Sequence, residues 1–251
     1  MQLKKTKNNT VLRSGERLDD LLIDEMKIIQ HDAQFRFSTD AVLLAYFATL
    51  KTKAKVADLG TGTGVIAMLM AARGASKVEG FEINPVMADM ASRSVAFNAL
   101  ENIVTIQAMD LREIKTKRVA GYFDLVVSNP PYRSIEKGKI NPNDDIAIAR
   151  HEILATLYDV VGAARHLLKF RGRFAMVHLP ERLAEIITAM KEVDLEPKRL
   201  RMVQGSAEKK PTMVLIEGVF GARPGLIVDK PLIIYKQDGT YHDEILTYYQ
   251  K

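Results

Sequence analysis

The hydrophobic pattern of the chain changes character at about residue 55. Beyond it, short apolar runs alternate with stretches in which apolar residues recur every three to four positions. The short runs predict strands at 55–59, 77–82, 103–109, 122–128, 174–179, 197–203 and 212–220. The periodic stretches predict helices at 65–73, 86–98, 151–168 and 180–193.

This order of elements indicates an α/β fold. Strands that alternate with helices pair in parallel and carry helices on both faces of the sheet. The last two predicted strands have no helix between them, so we expect an antiparallel C-terminal hairpin at one sheet edge. The prediction is a seven-stranded, mostly parallel, Rossmann-like sheet.

Residues 1–50 do not follow the alternation. They contain an extended stretch at 16–22, a short predicted strand at 26–30 and a helix that begins at Ser38 or Thr39. We expect this segment to be an N-terminal cap packed on the core, and residues 51–251 to form a single globular domain.

Composition narrows the function classes. The chain contains no cysteine, which excludes disulfides, thiolate nucleophiles and cysteine-based zinc sites. No apolar run approaches the roughly 20 residues of a membrane span, and no apolar stretch follows the basic N-terminus, so we expect a cytoplasmic protein without membrane or metal partners. A formal net charge of +5 weakly favours a polyanionic partner.

A glycine-rich loop follows the first strand of the predicted sheet, at residues 58–64. Glycine permits positive φ and close approach of the backbone to a ligand. Val65 occupies the third glycine position of a dinucleotide fingerprint, which disfavours a nicotinamide oxidoreductase. Asp58 is expected beside the positively charged end of the ligand. The predicted cofactor contacts of the loop are Asp58, Gly60, Thr61, Gly62 and Gly64.

Acidic residues also end the next two predicted strands. A carboxylate at Glu82 can accept both hydroxyls of a ribose, and Ile83 would follow onto the adenine face. Asp110 can accept a hydrogen bond from an adenine amino group, with Leu111 in apolar contact. Ligands at successive strand ends form the expected crevice of an open α/β sheet. Together with the glycine loop they point to S-adenosyl-L-methionine.

The sequence Asn129-Pro130-Pro131-Tyr132 follows the fourth predicted strand. A conjugated amino group is a poor nucleophile because its lone pair is delocalised. Two acceptors, the Asn129 side-chain oxygen and the Pro130 carbonyl, can localise that pair and stabilise the developing positive charge. The prolines stiffen the loop, and Tyr132 offers a face for stacking an extruded base.

Basic residues beyond this motif suggest contacts with a polyanion. Residues 133–145 are polar and are predicted to form a flap over the substrate opening. Arg133, Arg150 and His151 are the predicted substrate-binding residues, with phosphates as their expected partners.

The glycine loop, Glu82, Asp110 and the Asn-Pro-Pro-Tyr motif resemble, in order and spacing, the class I S-adenosylmethionine-dependent amino-methyltransferases. More narrowly, the chain resembles the bacterial tRNA(Val) adenine-N6-methyltransferase family, whose target adenine lies next to the anticodon. The resemblance implies that Thr39 and Asp40 approach the methionine part of the cofactor, that Asn129 also borders it, and that 129–132 hold the adenine of a tRNA. A monomer is favoured.

Other functions remain open at this stage. The Asn-Pro-Pro-Tyr motif is shared with enzymes that methylate protein glutamine amides or guanine amino groups. Recognition of a peptide substrate would need a separate N-terminal helical domain. The N-terminal segment is expected to be only a short cap, which disfavours the protein-glutamine alternative. A non-catalytic RNA-binding relative is a further alternative, and the intact Asn129 argues against it.

Overall fold

The computed structural model describes residues 4–5, 11–32, 39–131 and 155–249. The described strands are β1 (Lys4–Lys5), β2 (Val11–Leu12), β3 (Glu16–Asp20), β4 (Lys27–His31), β5 (Lys55–Leu59), β6 (Lys77–Glu82), β7 (Val104–Ala108), β8 (Phe123–Ser128), β9 (Leu168–His178), β10 (Leu195–Gln204), β11 (Pro211–Phe220), β12 (Ile227–Val228) and β13 (Leu232–Ile233). The described helices are α1 (Thr39–Phe47), α2 (Val65–Ala72), α3 (Pro85–Phe97), α4 (Ile114–Lys117), α5 (Leu157–Leu167), α6 (Leu183–Glu192) and α7 (Asp243–Tyr248). Single 3₁₀ turns cover Leu111–Glu113 and Pro180–Arg182.

The described strands β5 to β13 form one sheet. Its order is β12-β10-β11-β9-β8-β5-β6-β7, and β13 also pairs with β10. Strands β5 to β9 pair in parallel, whereas β11 is antiparallel to both β9 and β10. The predicted parallel sheet and its antiparallel C-terminal hairpin are therefore confirmed. The short strands β12 and β13 extend the predicted seven strands to nine.

Alternate residues of each central strand enter two separate cores. Val127 packs with α1 and α2 on one face, whereas Val126 packs with α5 and α6 on the other. Both valines are fully buried. Helices thus cover both faces, which is why Leu125, Val126 and Val127 are apolar at successive positions of β8 rather than alternating in polarity.

The predicted element bounds agree with the structure to within a few residues, except at the start of the helix predicted at 151–168 and at the start of β9. The helix predicted at 151–168 ends at Leu167, and Leu168 is already extended and pairs with Phe123. Thr156 begins the helix through a capping box with Asp159. Residues 151–154 lie outside the described residues.

The N-terminal segment contributes a hairpin, β3–β4, that packs on α3. The Ser94 hydroxyl accepts a hydrogen bond from Ile29 N at 3.0 Å, and the Asn98 side chain accepts one from Lys27 N at 2.9 Å. Arg93 on α3 pairs with Glu16 at 2.5 Å. The hairpin is therefore held along the helix that follows β6.

A buried carboxylate ties the end of α1 to the sheet. Glu217 on β11 is fully buried and accepts hydrogen bonds from the Thr49 backbone N–H at 2.7 Å and the Thr49 hydroxyl at 2.9 Å. It also pairs with Arg173 on β9 at 2.6 Å. Next to it, the Arg199 guanidinium lies 4.2 Å from the Phe47 ring centroid. These contacts fix where α1 leaves the sheet.

Glu217→Ala should lower the free energy of unfolding by about 2–4 kcal/mol, because it leaves buried donors without their acceptor. Urea denaturation followed by circular dichroism measures this. Glu113→Ala is the matched control, since Glu113 pairs with Lys117 on the surface and should contribute less than about 1 kcal/mol. Equal losses in the two variants would contradict the assigned role of Glu217.

Candidate active site

The candidate residues meet where the parallel strands end. Leu59, the last residue of β5, lies opposite Phe81 on β6 and Ser128 on β8. Glu82 at the end of β6 lies opposite Ala108 at the end of β7. Because neighbouring strands are about 4.8 Å apart, the segments that follow these strands share one edge of the sheet. The side chains predicted from the ends of four strands are thus brought together.

The glycine loop turns through three residues with positive φ. The φ angles are +70° at Gly60, +58° at Gly62 and +88° at Gly64. The backbone N–H groups of Gly60 and Thr61 both donate to the Phe81 carbonyl, at 2.9 and 3.0 Å. A Cβ on Gly60 would meet nothing within 4 Å, so the loop borders open space there. The loop is anchored to β6 on one side and accessible on the other.

Asp58 is fully buried beneath the loop. Its Oδ2 accepts a hydrogen bond from the Thr61 hydroxyl at 2.5 Å, whereas its Oδ1 has no hydrogen-bond partner in the described part of the chain. Burial raises the pKa of Asp58 to about 7, and the nearby Glu82 carboxylate adds to the increase. A buried carboxylate with an unused oxygen is suited to a cationic ligand group.

Glu82 is nearly buried at the end of β6. One carboxylate oxygen accepts a hydrogen bond from Gly62 N at 2.9 Å, and the other accepts one from Asn84 N at 2.8 Å. The half-buried Ile83 follows directly. Glu82 therefore links the glycine loop to the start of α3.

Asp110 is held by a local ion pair. Its carboxylate begins the turn Leu111–Glu113 by accepting from Arg112 N at 2.9 Å, and it pairs with the Arg112 guanidinium at 2.5 Å. This guanidinium holds the pKa of Asp110 below its usual range. Leu111 is half-buried against the core on the α5 face. The carboxylate is thus ionised and positioned as an acceptor.

The amino-acceptor motif begins directly after β8. The Ser128 hydroxyl donates to the Leu59 carbonyl at 2.8 Å, which joins the end of β8 to the start of the glycine loop. Asn129 and Pro130 are half-buried, and Pro131 is exposed. Four predicted substrate contacts lie outside the described residues, namely Tyr132, Arg133, Arg150 and His151.

Thr39 and Asp40 lie at the start of α1. Asp40 is nearly buried, whereas Thr39 is half-buried. Burial and the neighbouring Tyr241 raise the pKa of Tyr249, and a hydrogen bond from the Thr39 side chain lowers it. The start of α1 therefore meets the residue that follows α7.

Two contributors to the site were not predicted from the sequence. Asn84 begins α3 and accepts hydrogen bonds from Val86 N and Met87 N, at 3.0 and 3.3 Å. Its own N–H donates to Glu82, so it orients that carboxylate. The Asn84-Pro85 pair is a helix-start signal that could have revealed it. The second contributor is the Phe81 backbone carbonyl, which accepts the hydrogen bonds from the glycine loop. A backbone group cannot be recognised from the type of residue that carries it.

A family model described as methyltransferase small domain matches residues 36–193. The chain belongs to the methyltransferase small domain family. The match begins before α1 and ends after α6, so it includes every candidate residue named above. The predicted resemblance to methyltransferases is confirmed.

Two relatives of this methyltransferase carry a specific name. A tRNA1(Val) (adenine(37)-N6)-methyltransferase of Porphyromonas gingivalis is 30% identical over 77% of this chain and 78% of its own. One with the same name from Haemophilus influenzae is 27% identical over 88% of this chain and 93% of its own. The similarity therefore extends over most of each chain.

Solved structures confirm the fold of the methyltransferase. A predicted O-methyltransferase from Agrobacterium tumefaciens aligns with a TM-score of 0.69 at 21% identity, covering 84% of this chain and 95% of that one.

Within the described part of the methyltransferase, no helix is long and apolar enough to cross a membrane. The same residues contain no group of three or more side chains suited to hold a metal ion.

Proposed function

We propose that this methyltransferase uses S-adenosyl-L-methionine to methylate the exocyclic N6 amino group of an adenine in tRNA, next to the anticodon. The names of the relatives in Porphyromonas gingivalis and Haemophilus influenzae support the substrate. The observation that carries the chemistry is the Ser128–Leu59 pairing, which sets Asn129 beside the glycine loop. The methyl donor and the amino group that accepts the methyl would then meet at the same edge of the sheet.

The residues at the edge of the sheet where β5 to β8 end fit the proposed cofactor. The unused Oδ1 of Asp58 suits the cationic amino-acid end, and the nearly buried Glu82 carboxylate at the end of β6 suits the ribose hydroxyls. The open space at Gly60 permits close approach of a ligand to the backbone. Asp110, Ile83 and Leu111 would border the adenine. When bound, the cofactor supplies an electrophilic methyl group on a sulfonium.

Asn129 and Pro130 would prepare the amine. The Asn129 side-chain oxygen and the Pro130 carbonyl each accept one N–H of the amino group, which favours a pyramidal nitrogen with a localised lone pair. The same two oxygens stabilise the positive charge that develops on the nitrogen as it is methylated. Proline fixes φ, so the acceptors are in place before substrate arrives. The methylated amine then loses a proton to water, and no strong base is required.

The decisive experiment uses labelled S-adenosyl-L-methionine and bulk tRNA from a strain that lacks the gene. Nucleoside analysis should then show labelled N6-methyladenosine. Labelled methylguanosine, or label in protein glutamine after incubation with a lysate, would identify one of the alternative amino-methyltransferase activities instead. An absence of transfer to any of these acceptors would contradict the proposal.

The raised pKa of Asp58 predicts a pH-dependent affinity for the cofactor. A cationic ligand group prefers the carboxylate, so below pH 7 binding must first remove a proton from Asp58. We expect the dissociation constant to rise about tenfold for each pH unit below about 7 and to level off above it. Isothermal titration calorimetry between pH 6 and pH 8 measures this dependence.

Asp58→Asn is the matched control for that titration. It should bind the cofactor more weakly at pH 8 and lose the pH dependence, since an amide does not titrate in this range. Ionisation of Asp58 should have the opposite effect on the stability of the fold from its effect on cofactor binding. The folded pKa of about 7 exceeds the ordinary 3.8, so ionisation of Asp58 destabilises the ligand-free protein as pH rises from about 4 to about 7. Parallel binding curves for the two proteins would exclude Asp58 as the titrating group.

The remaining expectations belong to the same proposal. Tyr132 would stack on the target base, and Arg133, Arg150 and His151 would contact phosphates. Residues 1–50 would form the cap, with Thr39 and Asp40 near the methionine part of the cofactor and 51–251 as the catalytic domain. The enzyme would act as a monomer in the cytoplasm, where tRNA is found.

A further inference from the structure

Three tyrosines near the C-terminus form a row, and two of them are exposed. The Tyr235 and Tyr241 rings are stacked, with centroids 5.1 Å apart and planes inclined by 26°. Tyr249 continues the row at 6.5 Å from Tyr241. Tyr235 and Tyr241 are each 42% exposed, so much of their aromatic surface is not used by the core. We call these three residues the tyrosine platform.

The backbone holds the tyrosine platform rigidly. Tyr235 and Tyr241 face each other in an antiparallel bridge, and the Lys236 N–H donates to the Thr240 carbonyl at 2.8 Å. The Tyr235 N–H donates to the Gly205 carbonyl at 2.9 Å, which ties the platform to the turn between β10 and β11. Because the Tyr235 and Tyr241 rings are also stacked on each other, little side-chain entropy would be lost when a ligand stacks on them.

The platform lies at the same edge of the sheet as the candidate active site. Strand β13 is parallel to β10, and β10 runs in the same direction as β8, because two antiparallel pairings with β11 separate β10 from β9. The residues after β13 therefore emerge on the side where Asn129 follows β8. Four strand spacings from β8 to β13 amount to about 20 Å. At its other end, the Tyr249–Thr39 contact brings the platform to the start of α1.

Charged side chains of both signs lie near the platform, and two of the lysines are unpaired in the described part of the chain. A cleft of about 550 Å³ beside Tyr235 is lined by Gly205, Ser206, Glu208, Lys209, Lys236, Gln237 and Gly239. Lys209 and Lys210 are exposed, and neither has an ion-pair partner among the described residues. Lys236 pairs with Asp243 at 2.6 Å, so it is neutralised, and Glu208 is the other carboxylate at the cleft. The net charge of +5 agrees with a polyanionic partner.

We infer that the tyrosine platform binds unpaired bases of the RNA substrate by stacking, while Lys209 and Lys210 contact the adjoining phosphates. The inference rests on the proposed tRNA substrate and assigns it a second contact region, about 20 Å from the methylated base. Exposed aromatic rings beside lysines are the usual means of binding single-stranded nucleic acid without sequence readout. Nucleotides flanking the target would be held here while the target adenine lies at Asn129.

The test measures RNA binding without methyl transfer. The full-length protein is titrated, by fluorescence anisotropy, into a labelled stem-loop RNA and into a fully paired duplex of equal length. Tyr235→Ala/Tyr241→Ala should weaken stem-loop binding about tenfold or more and leave duplex binding nearly unchanged. Tyr235→Phe/Tyr241→Phe should bind like the wild type, because the rings remain. Circular dichroism confirms that the variants fold.

Phe170→Ala is the matched control. Phe170 is 69% exposed and lies near the beginning of β9, at the opposite edge of the sheet, so its removal should not change stem-loop binding. Lys209→Ala/Lys210→Ala should reduce the slope of log affinity against log salt by about two, one for each lost phosphate contact. Both results together would distinguish the stacking and the phosphate contacts.

The outcomes separate this inference from the proposed function. Equal weakening of stem-loop and duplex, or no weakening in the double alanine variant, overturns the platform even if the wild type methylates tRNA. A wild type that binds the stem-loop through the tyrosines but methylates no adenine overturns the proposed reaction alone. If a protein rather than RNA covers the platform, stem-loop binding will not respond to the substitutions, which overturns the inference as well.

Discussion

Asn129→Ala should reduce kcat by about 10³-fold and leave the dissociation constant for S-adenosyl-L-methionine within about twofold of the wild type. The substitution removes one of two oxygens that would stabilise the charge on the attacking amine, and the loss of one such group typically costs 10²–10³. Asn129 is half-buried and follows a strand whose end is fixed by the Ser128–Leu59 hydrogen bond, so the truncation should not unfold the edge. Single-turnover kinetics and calorimetry measure the two quantities.

Asn129→Asp tests whether the acceptor oxygen is what matters. Aspartate has the same shape and keeps an acceptor at the same place, so this variant should be clearly more active than Asn129→Ala. An aspartate variant as inactive as the alanine variant, with an intact fold, would show that the side-chain oxygen is not the catalytic contribution. Equal loss of turnover and of cofactor affinity in Asn129→Ala would mean that the residue acts structurally.

The fold was predictable because short runs of apolar residues mark the central strands and each turn carries its own signal. Glu82 ends β6, and the Asn84-Pro85 pair begins α3, so strand, turn and helix are all encoded locally. The start of β9 was missed for the opposite reason. Leu168 fits the apolar face of α5 and is equally well buried as the first residue of the strand, so hydrophobicity alone does not separate the two states.

The candidate site was predictable in its residue types but not in their partners. Glycines that need positive φ and acids that end strands are visible in the sequence, and the structure brings them to one edge. The pairing of Asp110 with Arg112 and the contact of Glu217 with Thr49 depend on rotamers and on residues distant along the chain. The tyrosine platform depends in the same way on the bridge between Tyr235 and Tyr241, which periodicity does not encode.

Gly62→Val should abolish measurable binding of S-adenosyl-L-methionine, with a loss of at least about 100-fold. Gly62 has φ of +58°, where a side chain costs roughly 1–2 kcal/mol and a β-branched one costs more. Its N–H donates to Glu82, so a shift of the loop would also move the carboxylate proposed to bind the ribose. A Cβ there would stand 3.4 Å from the Met87 side chain, an ordinary van der Waals contact, so the expected loss comes from the backbone strain and from overlap with the ligand. Calorimetry measures the affinity.

Gly74→Val separates this effect from general backbone strain. Gly74 also has positive φ, +95°, but it follows α2 at the opposite end of the sheet, and a Cβ there meets nothing within 4 Å. Both variants should therefore lose stability through the same backbone penalty, whereas only Gly62→Val should lose the cofactor. Normal binding by a folded Gly62→Val protein would exclude close contact between the loop and the ligand. Because Asp58 and Glu82 are positioned through this same loop, that result would also remove the basis for their proposed roles.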